Sequence, residues 1–323
     1  MILFRLIFLG TSASAPSAHR GLPSMVVAVD EHRYLVDCGE GTQRQILRSG
    51  IGFKRLNKIL LTHGHLDHIL GLGGLVSSFA SWEEELDELD IWAGKPTLER
   101  VERLLYGVVL DYDNLEVVIR LHELSPGIIE SHRGFSVSAV SVVHRGAGCY
   151  GFIFKEHDHR PFLADRAEAL GIPHGEERRT LIEGQSITLA NGRVVEPDEV
   201  LGEIESGAKV AVIGDTGQTA NLLEAVQDAT VLVIEATFLQ RDEEIAKRFG
   251  HLTATRAAQL AKDANVGTLI LTHVSRRYHE REVRDEARAI FPNTIVARDL
   301  EQYLVKRNSG LSRLTEPIAE AND

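Results

Sequence analysis

The stretch Leu60-Leu61-Thr62-His63-Gly64-His65-Leu66-Asp67-His68 decides how this chain is interpreted. An apolar run that ends at Thr62 delivers three histidines and one aspartate within six residues. Imidazole and carboxylate groups are the ligands that zinc prefers, whereas packing alone does not require them at this density. The pattern His-x-His-x-Asp-His should arise by chance in on the order of one chain in a thousand. The stretch therefore predicts a metal site, and the alternative is a set of unrelated surface histidines.

This cluster cannot by itself saturate two metal ions, so the hypothesis of a two-metal site requires further ligands downstream. Three ligand-type residues follow apolar strands: His144 after residues 140–143, Asp215 after 210–214 and His273 after 269–272. The carboxyl ends of strands are where α/β sheets form their sites. A single histidine after a strand is more often a capping or core residue. Three such residues, following the first cluster, favour metal ligands instead.

The order of the predicted elements indicates an α/β fold. After a first strand at residues 7–9, strands are predicted at 33–37, 58–62, 135–143, 150–154, 209–213, 231–234 and 268–272. Helices are predicted at 41–49, 74–82, 97–106, 253–263 and 280–290. Residues 155–205 break this alternation because they are rich in charge, glycine and proline. They are interpreted as an inserted arm, and a solvated loop is the alternative.

The composition limits the class of protein. A chain of 323 residues, 43% of them hydrophobic and 25% charged, can bury a large core. No apolar run reaches the roughly 18 residues of a membrane span. The apolar start is interrupted by Arg5 and is interpreted as a strand rather than a secretory signal. Two distant cysteines, Cys38 and Cys149, argue against a disulfide framework and favour a reduced, cytoplasmic setting.

The net charge of −12 argues against the simplest kind of nucleic-acid binder, because phosphate neutralisation normally needs a basic surface. Basic residues nevertheless cluster locally, at Arg44, Arg48, Lys54, Arg55 and Lys58, at Arg178 and Arg179, and at Arg276, Arg277 and Arg281. Two bound zinc ions would add four positive charges at the site itself. An acidic chain can therefore still present a cationic cleft.

The pattern of candidate ligands resembles that of the metallo-β-lactamase superfamily; these ligands are His63, His65, Asp67, His68, His144, Asp215 and His273. The surrounding blocks resemble the ribonuclease Z family in particular, and they include Phe8-Leu9-Gly10-Thr11-Ser12, Asp37-Cys38-Gly39-Glu40-Gly41-Thr42-Gln43, Glu235-Ala236-Thr237-Phe238, His251-Leu252-Thr253-Ala254 and Leu271-Thr272-His273-Val274-Ser275. These blocks span nearly the whole chain in family order. The resemblance implies a single domain over residues 1–323, an αβ/βα four-layer sandwich of two mixed β-sheets with outer helices.

The resemblance also implies a ligand set and a reaction. One zinc ion would take His63, His65 and His144, a second would take Asp67, His68 and His273, and Asp215 would bridge them. Manganese or iron is an alternative metal. Two ions about 3.5–4 Å apart activate a water molecule and neutralise charge on the attacking and leaving oxygens. The implied reaction is cleavage of tRNA precursors at the 3′ side, which leaves a 3′-hydroxyl on the tRNA and a 5′-phosphate on the trailer.

The leaving oxygen needs a proton, and by similarity His251 donates it. Glu235 would orient His251, and Asp67 would help to position or deprotonate the attacking water. The alternatives are that His251 caps the helix that begins near Thr253, and that Glu235 forms an ion pair at a strand end. Asp37 is expected to hold a ligating histidine in the required tautomer.

Three functional hypotheses remain open. The first is a tRNA 3′ endonuclease in which the arm at 155–205 is a tRNA-binding exosite. The resemblance implies a homodimer in which the arm of one subunit helps to hold RNA at the site of the other, and the lack of a long apolar run predicts no membrane partner. The arm departs from the family pattern, since the segment 171–179 has lost prolines and gained acids, which leaves its hold on RNA phosphates open. The second is a related two-zinc hydrolase of small phosphodiesters or arylsulfates. The third is a non-catalytic metal-binding scaffold, against which the intact set of ligands argues.

Overall fold

The computed structural model describes residues 2–81, 88–110 and 118–314. The strands are β1 Phe4–Gly10, β2 Ser24–Val29, β3 His32–Val36, β4 Lys58–Leu60, β5 Glu88–Ala93, β6 Val118–Glu123, β7 Gly127–Ser131, β8 Phe135–Val142, β9 Cys149–Glu156, β10 Ile187–Thr188, β11 Val194–Val195, β12 Lys209–Val212, β13 Val231–Glu235, β14 Thr268–Thr272, β15 Thr294–Val296, β16 Gln302–Lys306 and β17 Gly310–Arg313. The helices are α1 Thr42–Ser49, α2 Leu66–Ile69, α3 Leu72–Ser81, α4 Lys95–Leu104, α5 Ala164–Ala169, α6 Glu176–Ile182, α7 Leu223–Val226, α8 Glu243–Phe249, α9 Ala254–Asp263 and α10 Glu280–Arg288. Short 3₁₀ turns lie at Pro197–Glu199, Ala220–Leu222 and Gln240–Asp242, and a π-helical turn at Leu105–Val109 follows α4.

The chain divides into two compact units. The larger unit is formed by residues up to Lys155 together with those from Ala208 onward, and the smaller unit is Glu156–Gly207. The predicted arm at 155–205 falls on this smaller unit. Among the helices in the described ranges, none combines the length and the apolarity that a membrane crossing requires.

Two mixed sheets form the larger unit. The first sheet has the strand order β17-β16-β1-β2-β3-β4-β5-β6, and the second has the order β15-β14-β13-β12-β9-β8-β7. Strands β3 to β6 run parallel to one another, as do strands β12 to β15. The remaining recorded pairs in both sheets are antiparallel, including β1 with β2 and β9 with β12. Parallel strands bring their carboxyl ends to the same edge of a sheet, which is the edge that carries the candidate site.

Alternating side chains place both faces of each sheet in a core, because successive residues of a strand point to opposite faces. Along β1, Phe4, Leu6 and Phe8 belong to the cluster shared with Phe154 and Val210 of the second sheet. The alternate β1 residues Ile7 and Leu9 pack with Ile46 of α1, Leu75 of α3 and Val101 of α4. On the far face of the second sheet, Leu232 and Ile234 pack with Ala257 of α9 and Val283 of α10. The layers are therefore helix, sheet, sheet and helix, as predicted.

The smaller unit has a core of its own. Six buried apolar residues form this core: Ala167, Ile172, Leu181, Ile187, Val195 and Val200. The surrounding elements are helices α5 and α6, the β10–β11 hairpin and the 3₁₀ turn at Pro197–Glu199. The guanidinium group of Arg178 lies over the ring of Phe162, and it also donates to the carbonyl oxygen of Ile172. The segment therefore has packed structure, which the alternative of a solvated loop did not predict.

All the strands and helices predicted outside the arm have observed counterparts, with ends that differ by a few residues. The prediction for 268–272 matches β14 at both ends, and the helix predicted at 74–82 is α3 at Leu72–Ser81, with Trp82 outside the described residues. Strand β2, strands β5 to β7 and strands β15 to β17 were not predicted.

Candidate metal centre

The seven predicted ligands converge at one edge of the two sheets. His63 and His65 lie in the loop after β4, Asp67 and His68 on α2, His144 just after β8, Asp215 after β12 and His273 directly after β14. With one ligand atom from each residue, three groups lie within 4.8 Å: His63, His65, His144 and Asp215; Asp67, His68 and His273; and Asp215, His251 and His273. Seven residues that are up to 210 positions apart therefore share one small volume.

Two glycines allow α2 to pack against the loop that follows β3. A Cβ atom on Gly71 would lie 2.0 Å from the carbonyl oxygen of Gly39, and a Cβ on Gly39 would lie 2.4 Å from that of Asp67. Neither position tolerates a side chain without movement of the backbone. This close approach brings the Asp37 carboxylate to His68, with 2.7 Å between Oδ2 and Nδ1.

The hydrogen bonds of the ligand histidines determine which ring nitrogen carries the proton. A carboxylate only accepts, so His68 Nδ1 donates to Asp37 Oδ2. Thr62 Oγ1 donates its proton to the same oxygen over 2.8 Å, and it therefore accepts from His63 Nδ1 over 3.0 Å. Nδ1 therefore carries a proton in both rings, and Nε2 is the nitrogen that a metal can bind.

The second sheet repeats this arrangement. His144 Nδ1 donates to the carbonyl oxygen of Gly250 over 2.7 Å. Thr237 Oγ1 donates to Glu235 Oε2 over 2.5 Å and accepts from His273 Nδ1 over 2.8 Å. Nε2 is thus again the nitrogen that His144 and His273 can offer to a metal.

These nitrogens face carboxylate oxygens and another ring nitrogen across short distances. His273 Nε2 lies 3.3 Å from Asp215 Oδ1 and 3.6 Å from Asp67 Oδ2, and His63 Nε2 lies 2.8 Å from His65 Nδ1. Within the described residues, Asp215 Oδ1 and the Nε2 atoms of His68 and His273 are buried without a hydrogen-bond partner. Buried polar atoms without a partner are costly, and a cation bound between these nitrogen and oxygen atoms would give each of them a partner. The nitrogen and oxygen donor set therefore fits a divalent transition metal ion.

The electrostatics of the cluster agree with this fit. Burial lowers the pKa of His144, and burial together with neighbouring histidines lowers the pKa of His63 well below its ordinary value, so both rings are neutral. Burial opposes ionisation of Asp215, but the surrounding histidines outweigh it and hold the pKa of this carboxyl well below its usual range. At His68 burial opposes the positive charge, but the carboxylates of Asp215 and Asp37 outweigh burial and raise the pKa. A metal ion at this position therefore competes with a proton.

His251 and Glu235 lie beside the ligands. Helix α8 ends at Gly250, whose φ is 72°, and His251 N–H closes the turn by donating to the carbonyl oxygen of Ala246. His251 Nδ1 lies 3.0 Å from Glu235 Oε1, and the same oxygen accepts from Thr216 N–H over 2.7 Å. Burial lowers the pKa of His251, but the Glu235 carboxylate outweighs burial and raises it to about 9.

The helix-capping alternative for His251 is wrong. The N-cap of α9 is Thr253, whose side chain accepts from Arg256 N–H over 3.2 Å. For Glu235 the ion-pair alternative and the predicted role do not exclude each other. The fully buried carboxylate pairs with His251, the residue that it was predicted to orient.

Two threonines that connect carboxylates to ligands, Thr62 and Thr237, were not predicted from the sequence. Each stands next to residues that were predicted, since Thr62 directly precedes His63 and Thr237 is two residues beyond Glu235. Their positions in the quoted motifs are the only sequence signal for them.

Comparisons with known proteins agree with this geometry. Residues 4–168, about half of the chain, match the family model described as anti-Pycsar protein Apyc1, and residues 174–274 match the β-lactamase superfamily domain. A ribonuclease Z from Bradyrhizobium diazoefficiens is 45% identical over 303 residues, which cover 94% of this chain and 100% of the relative. A ribonuclease Z from Archaeoglobus fulgidus is 39% identical over 302 residues, with 92% and 96% covered.

Solved structures show the same fold. The metallo-β-lactamase fold protein YhfI from Bacillus subtilis has a TM-score of 0.66 at 17% identity, with 94% of this chain and 99% of that one covered. The short form of human tRNase Z has a TM-score of 0.63 at 24% identity, with 92% and 98% covered. The His and Asp cluster, set in this fold, indicates a metal-dependent enzyme. Because relatives named ribonuclease Z match it over more than nine-tenths of its length at 39–45% identity, the chain belongs to the ribonuclease Z family of the metallo-β-lactamase superfamily.

Proposed function

We propose that this chain is a metal-dependent endoribonuclease that removes the 3′ trailer from tRNA precursors. The observation that carries the proposal is the convergence of seven acceptor side chains beside a histidine–glutamate pair, in a chain whose relatives are ribonucleases Z. A phosphodiesterase of this kind needs a site for cations that bind the phosphate, and a group that protonates the leaving oxygen. The proposed ligands and His251 would serve these two needs, and they lie at the same edge of the sheets.

The ligand set supports two metal ions, which we assign as zinc, with manganese or iron as the alternatives. His63, His65 and His144 would hold one ion, Asp67, His68 and His273 would hold the other, and Asp215 would contact both. This division follows two of the groups in which the ligand atoms lie together. When bound, such a pair neutralises charge on the phosphate and activates a water molecule for attack.

His251 is proposed as the proton donor. Its Nδ1–H donates to Glu235, so Nε2 is the nitrogen that can exchange a proton with the substrate. Glu235 is fully buried and also accepts from Thr216 and Thr237, which keeps its carboxylate in one orientation. Asp67 is proposed to help position the attacking water, and its Oδ2 accepts from the backbone N–H of Ser14 over 3.0 Å.

The test is incubation of the zinc-loaded chain with a tRNA precursor that carries a 3′ trailer. We expect a tRNA body with a 3′-hydroxyl, which poly(A) polymerase extends, and a trailer with a 5′-phosphate, which a ligase joins. A chelator should abolish cleavage and added Zn²⁺ should restore it. A parallel incubation with bis(p-nitrophenyl) phosphate separates the hypotheses. Hydrolysis of the small ester alone would contradict the tRNA assignment, and turnover of neither would favour a scaffold.

One observation favours the second candidate, a hydrolase of small phosphodiesters or arylsulfates. The arm has twelve acidic and five basic residues between positions 156 and 207, a composition that disfavours binding of RNA phosphates. The nearly full-length identity to ribonucleases Z favours the first candidate. The arm at 155–205 is accordingly kept as a proposed tRNA-binding exosite within a single domain.

We further propose a homodimer in a reducing, cytoplasmic setting. Both cysteines, Cys38 and Cys149, are buried and free, which agrees with such a compartment. Light scattering of the purified chain should give twice the monomer mass of 35.7 kDa. A monomer at micromolar concentration would contradict the dimer but leave the proposed reaction unaffected.

A further inference from the structure

A single hydroxyl group, that of Thr237, lies between a proposed metal ligand and the residue that orients the proposed proton donor. Thr237 is buried, with 3% of its surface exposed. Its Oγ1 is 2.5 Å from Glu235 Oε2 and 2.8 Å from His273 Nδ1. The distance to His251 Nδ1 is 3.5 Å, and that nitrogen bonds instead to Glu235 Oε1 at 3.0 Å.

The chemistry of the groups determines the direction of each bond. The Glu235 carboxylate can only accept, so the single hydroxyl proton of Thr237 points to Glu235. Toward His273 the same oxygen can only accept, so His273 Nδ1 carries a proton and Nε2 is the nitrogen left to bind a metal. Nε2 lies 3.3 Å from Asp215 Oδ1.

We propose that Thr237 is a positioning residue that couples His273 to His251 through Glu235, so that one hydroxyl group sets the protonated nitrogen of the ligand and steadies the carboxylate that orients the donor. The part that concerns His251 as donor rests on the proposed function. The part that concerns His273 as a ligand rests on the hydrogen bonds alone.

The first sheet contains a counterpart that lacks the connection to the donor. Thr62 Oγ1 donates to Asp37 Oδ2 and accepts from His63 Nδ1, while Asp37 bonds directly to His68. Both histidines on that side are proposed ligands. Loss of the Thr62 hydroxyl should therefore affect metal binding alone, whereas loss of the Thr237 hydroxyl should affect metal binding and proton donation together.

The experiment uses Thr237→Val, which removes the hydroxyl and keeps the branched shape. Zinc affinity is measured by competition with a chromophoric chelator, and we expect it to fall about 10–100-fold. At saturating Zn²⁺, kcat is measured on the tRNA precursor and on bis(p-nitrophenyl) phosphate. Nitrophenolate leaves without a proton, so we expect kcat on RNA to fall more than kcat on the small ester, with little change in KM.

Three further variants test whether the hydroxyl is the cause. Thr237→Ser keeps the hydroxyl and should return zinc affinity and both activities to within about threefold of the wild type. Thr62→Val should lower zinc affinity but keep the wild-type ratio of the two activities. Thr268→Val removes a buried hydroxyl at the opposite end of β14, where Oγ1 accepts from Asn293, and should leave zinc affinity unchanged.

Wild-type zinc affinity in folded Thr237→Val would overturn the inference. If that variant does not fold, Thr237→Ser and Thr237→Ala replace it, because these two variants differ only in the hydroxyl. Equal zinc affinity in Thr237→Ser and Thr237→Ala would also overturn the inference. Loss of zinc affinity without a change in the ratio of activities would remove the connection to His251. Failure of the wild type to cleave RNA would count against the proposed function, while the zinc measurements would still decide the role of Thr237 toward His273.

Discussion

Two buried carboxylates, Asp37 and Glu235, determine the direction of the hydrogen bonds around the centre. Asp37 accepts from His68 and from Thr62, and Glu235 accepts from His251 and from Thr237. Because Nδ1 of His68 donates to Asp37 and Nδ1 of His251 donates to Glu235, Nε2 is in each ring the nitrogen left for a metal ion or for a transferable proton. Hydrogen bonds from a ligating histidine to a neighbouring carboxylate both orient the ring and raise the basicity of its other nitrogen.

The role of His251 can be tested by replacing it with a side chain that has no acidic proton to donate, while all the proposed metal ligands stay in place. In His251→Gln we expect turnover of the tRNA precursor to fall by roughly 10²–10⁴, as for a lost general acid. Zinc content, measured by atomic absorption, should equal that of the wild type, and hydrolysis of bis(p-nitrophenyl) phosphate should change far less. His65→Ala is the matched control and should lose zinc and both activities together. Normal RNA turnover in His251→Gln would rule out its role as donor.

Gly214 supports Thr62 by leaving room for it. A Cβ on Gly214 would lie 2.8 Å from both Cβ and Oγ1 of Thr62, so alanine must displace the threonine that bonds to Asp37 and His63. Gly214→Ala should cost about 1–3 kcal/mol of stability and weaken zinc binding, although no ligand is changed. Gly107→Ala is the control, because a Cβ there meets no atom of the described residues within 4 Å. Chelator competition and thermal unfolding measure both effects, and wild-type zinc affinity in Gly214→Ala would show that Thr62 does not support the ligands.

At the residue scale, the sequence predicts groups whose chemistry is rare and misses those whose chemistry is common. Three closely spaced histidines with an aspartate are unusual, whereas a threonine at the end of a strand is ordinary. The backbone conformations were also beyond prediction. Asp37 and His273 both have positive φ, 58° and 54°, which is uncommon for residues other than glycine and clusters at functional sites. Only the tertiary structure imposes that turn directly after β3 and β14.

At the scale of elements, strands such as β13 and β14 could be predicted because they are continuous apolar runs, buried over almost their whole length, although β2, which is also apolar and buried, was missed. Strands near the sheet edges gave a weaker signal. Strand β7 has no fully buried residue, and its two consecutive isoleucines are flanked by glycine on one side and by glutamate and serine on the other. Its existence follows from pairing with β8, a long-range contact that a local pattern does not contain.

An ion pair between the sheets connects β4 to β7. Lys58 Nζ lies 2.6 Å from Glu130 Oε1, and the hydroxyl of Tyr34 donates to Glu130 Oε2. Burial raises the pKa of Glu130, but the hydrogen bonds from Lys58 and Tyr34 outweigh burial and lower it. The stabilising effect is therefore complete above the ordinary value of 4.5 and is lost as pH falls through the lowered pKa of the folded state.

Glu130→Gln should therefore reduce the free energy of unfolding by about 1–2 kcal/mol at pH 7. The difference from the wild type should shrink as pH falls below 4.5, because protonation of Glu130 removes the same charge. Glu88→Gln is the control, since its ion pair with Arg120 is about half-exposed and should leave the unfolding midpoint unchanged. Urea unfolding at pH 7 and at low pH measures both variants. A difference that persists unchanged at low pH would mean that the charge of Glu130 is not its cause.

At the scale of the whole molecule, the negative charge is unevenly distributed. Positions 156–207 contribute −7 of the net −12, in about a sixth of the chain. Three of the five arginines there, Arg160, Arg179 and Arg193, are already paired with acids of the same unit. Affinity for RNA that comes from the release of counterions needs cations that are available to phosphates. We therefore expect any contact between the arm and RNA to depend little on salt.

Excision of the arm tests this expectation with little disturbance to the sheet. Strands β9 and β12 are antiparallel neighbours in which Lys155 faces Lys209, so an Asn-Gly turn can replace residues 156–208. The excised chain should hydrolyse bis(p-nitrophenyl) phosphate as the wild type does, because all the proposed ligands lie outside the removed segment.

If the arm is an exosite, KM for the tRNA precursor should rise about tenfold, equivalent to about 1.4 kcal/mol. The slope of log KM against log salt should change by less than about one unit, since the arm offers few free cations. An unchanged KM would exclude the arm from RNA recognition, whereas a slope reduced by several units would show that its arginines leave their internal ion pairs to bind phosphates.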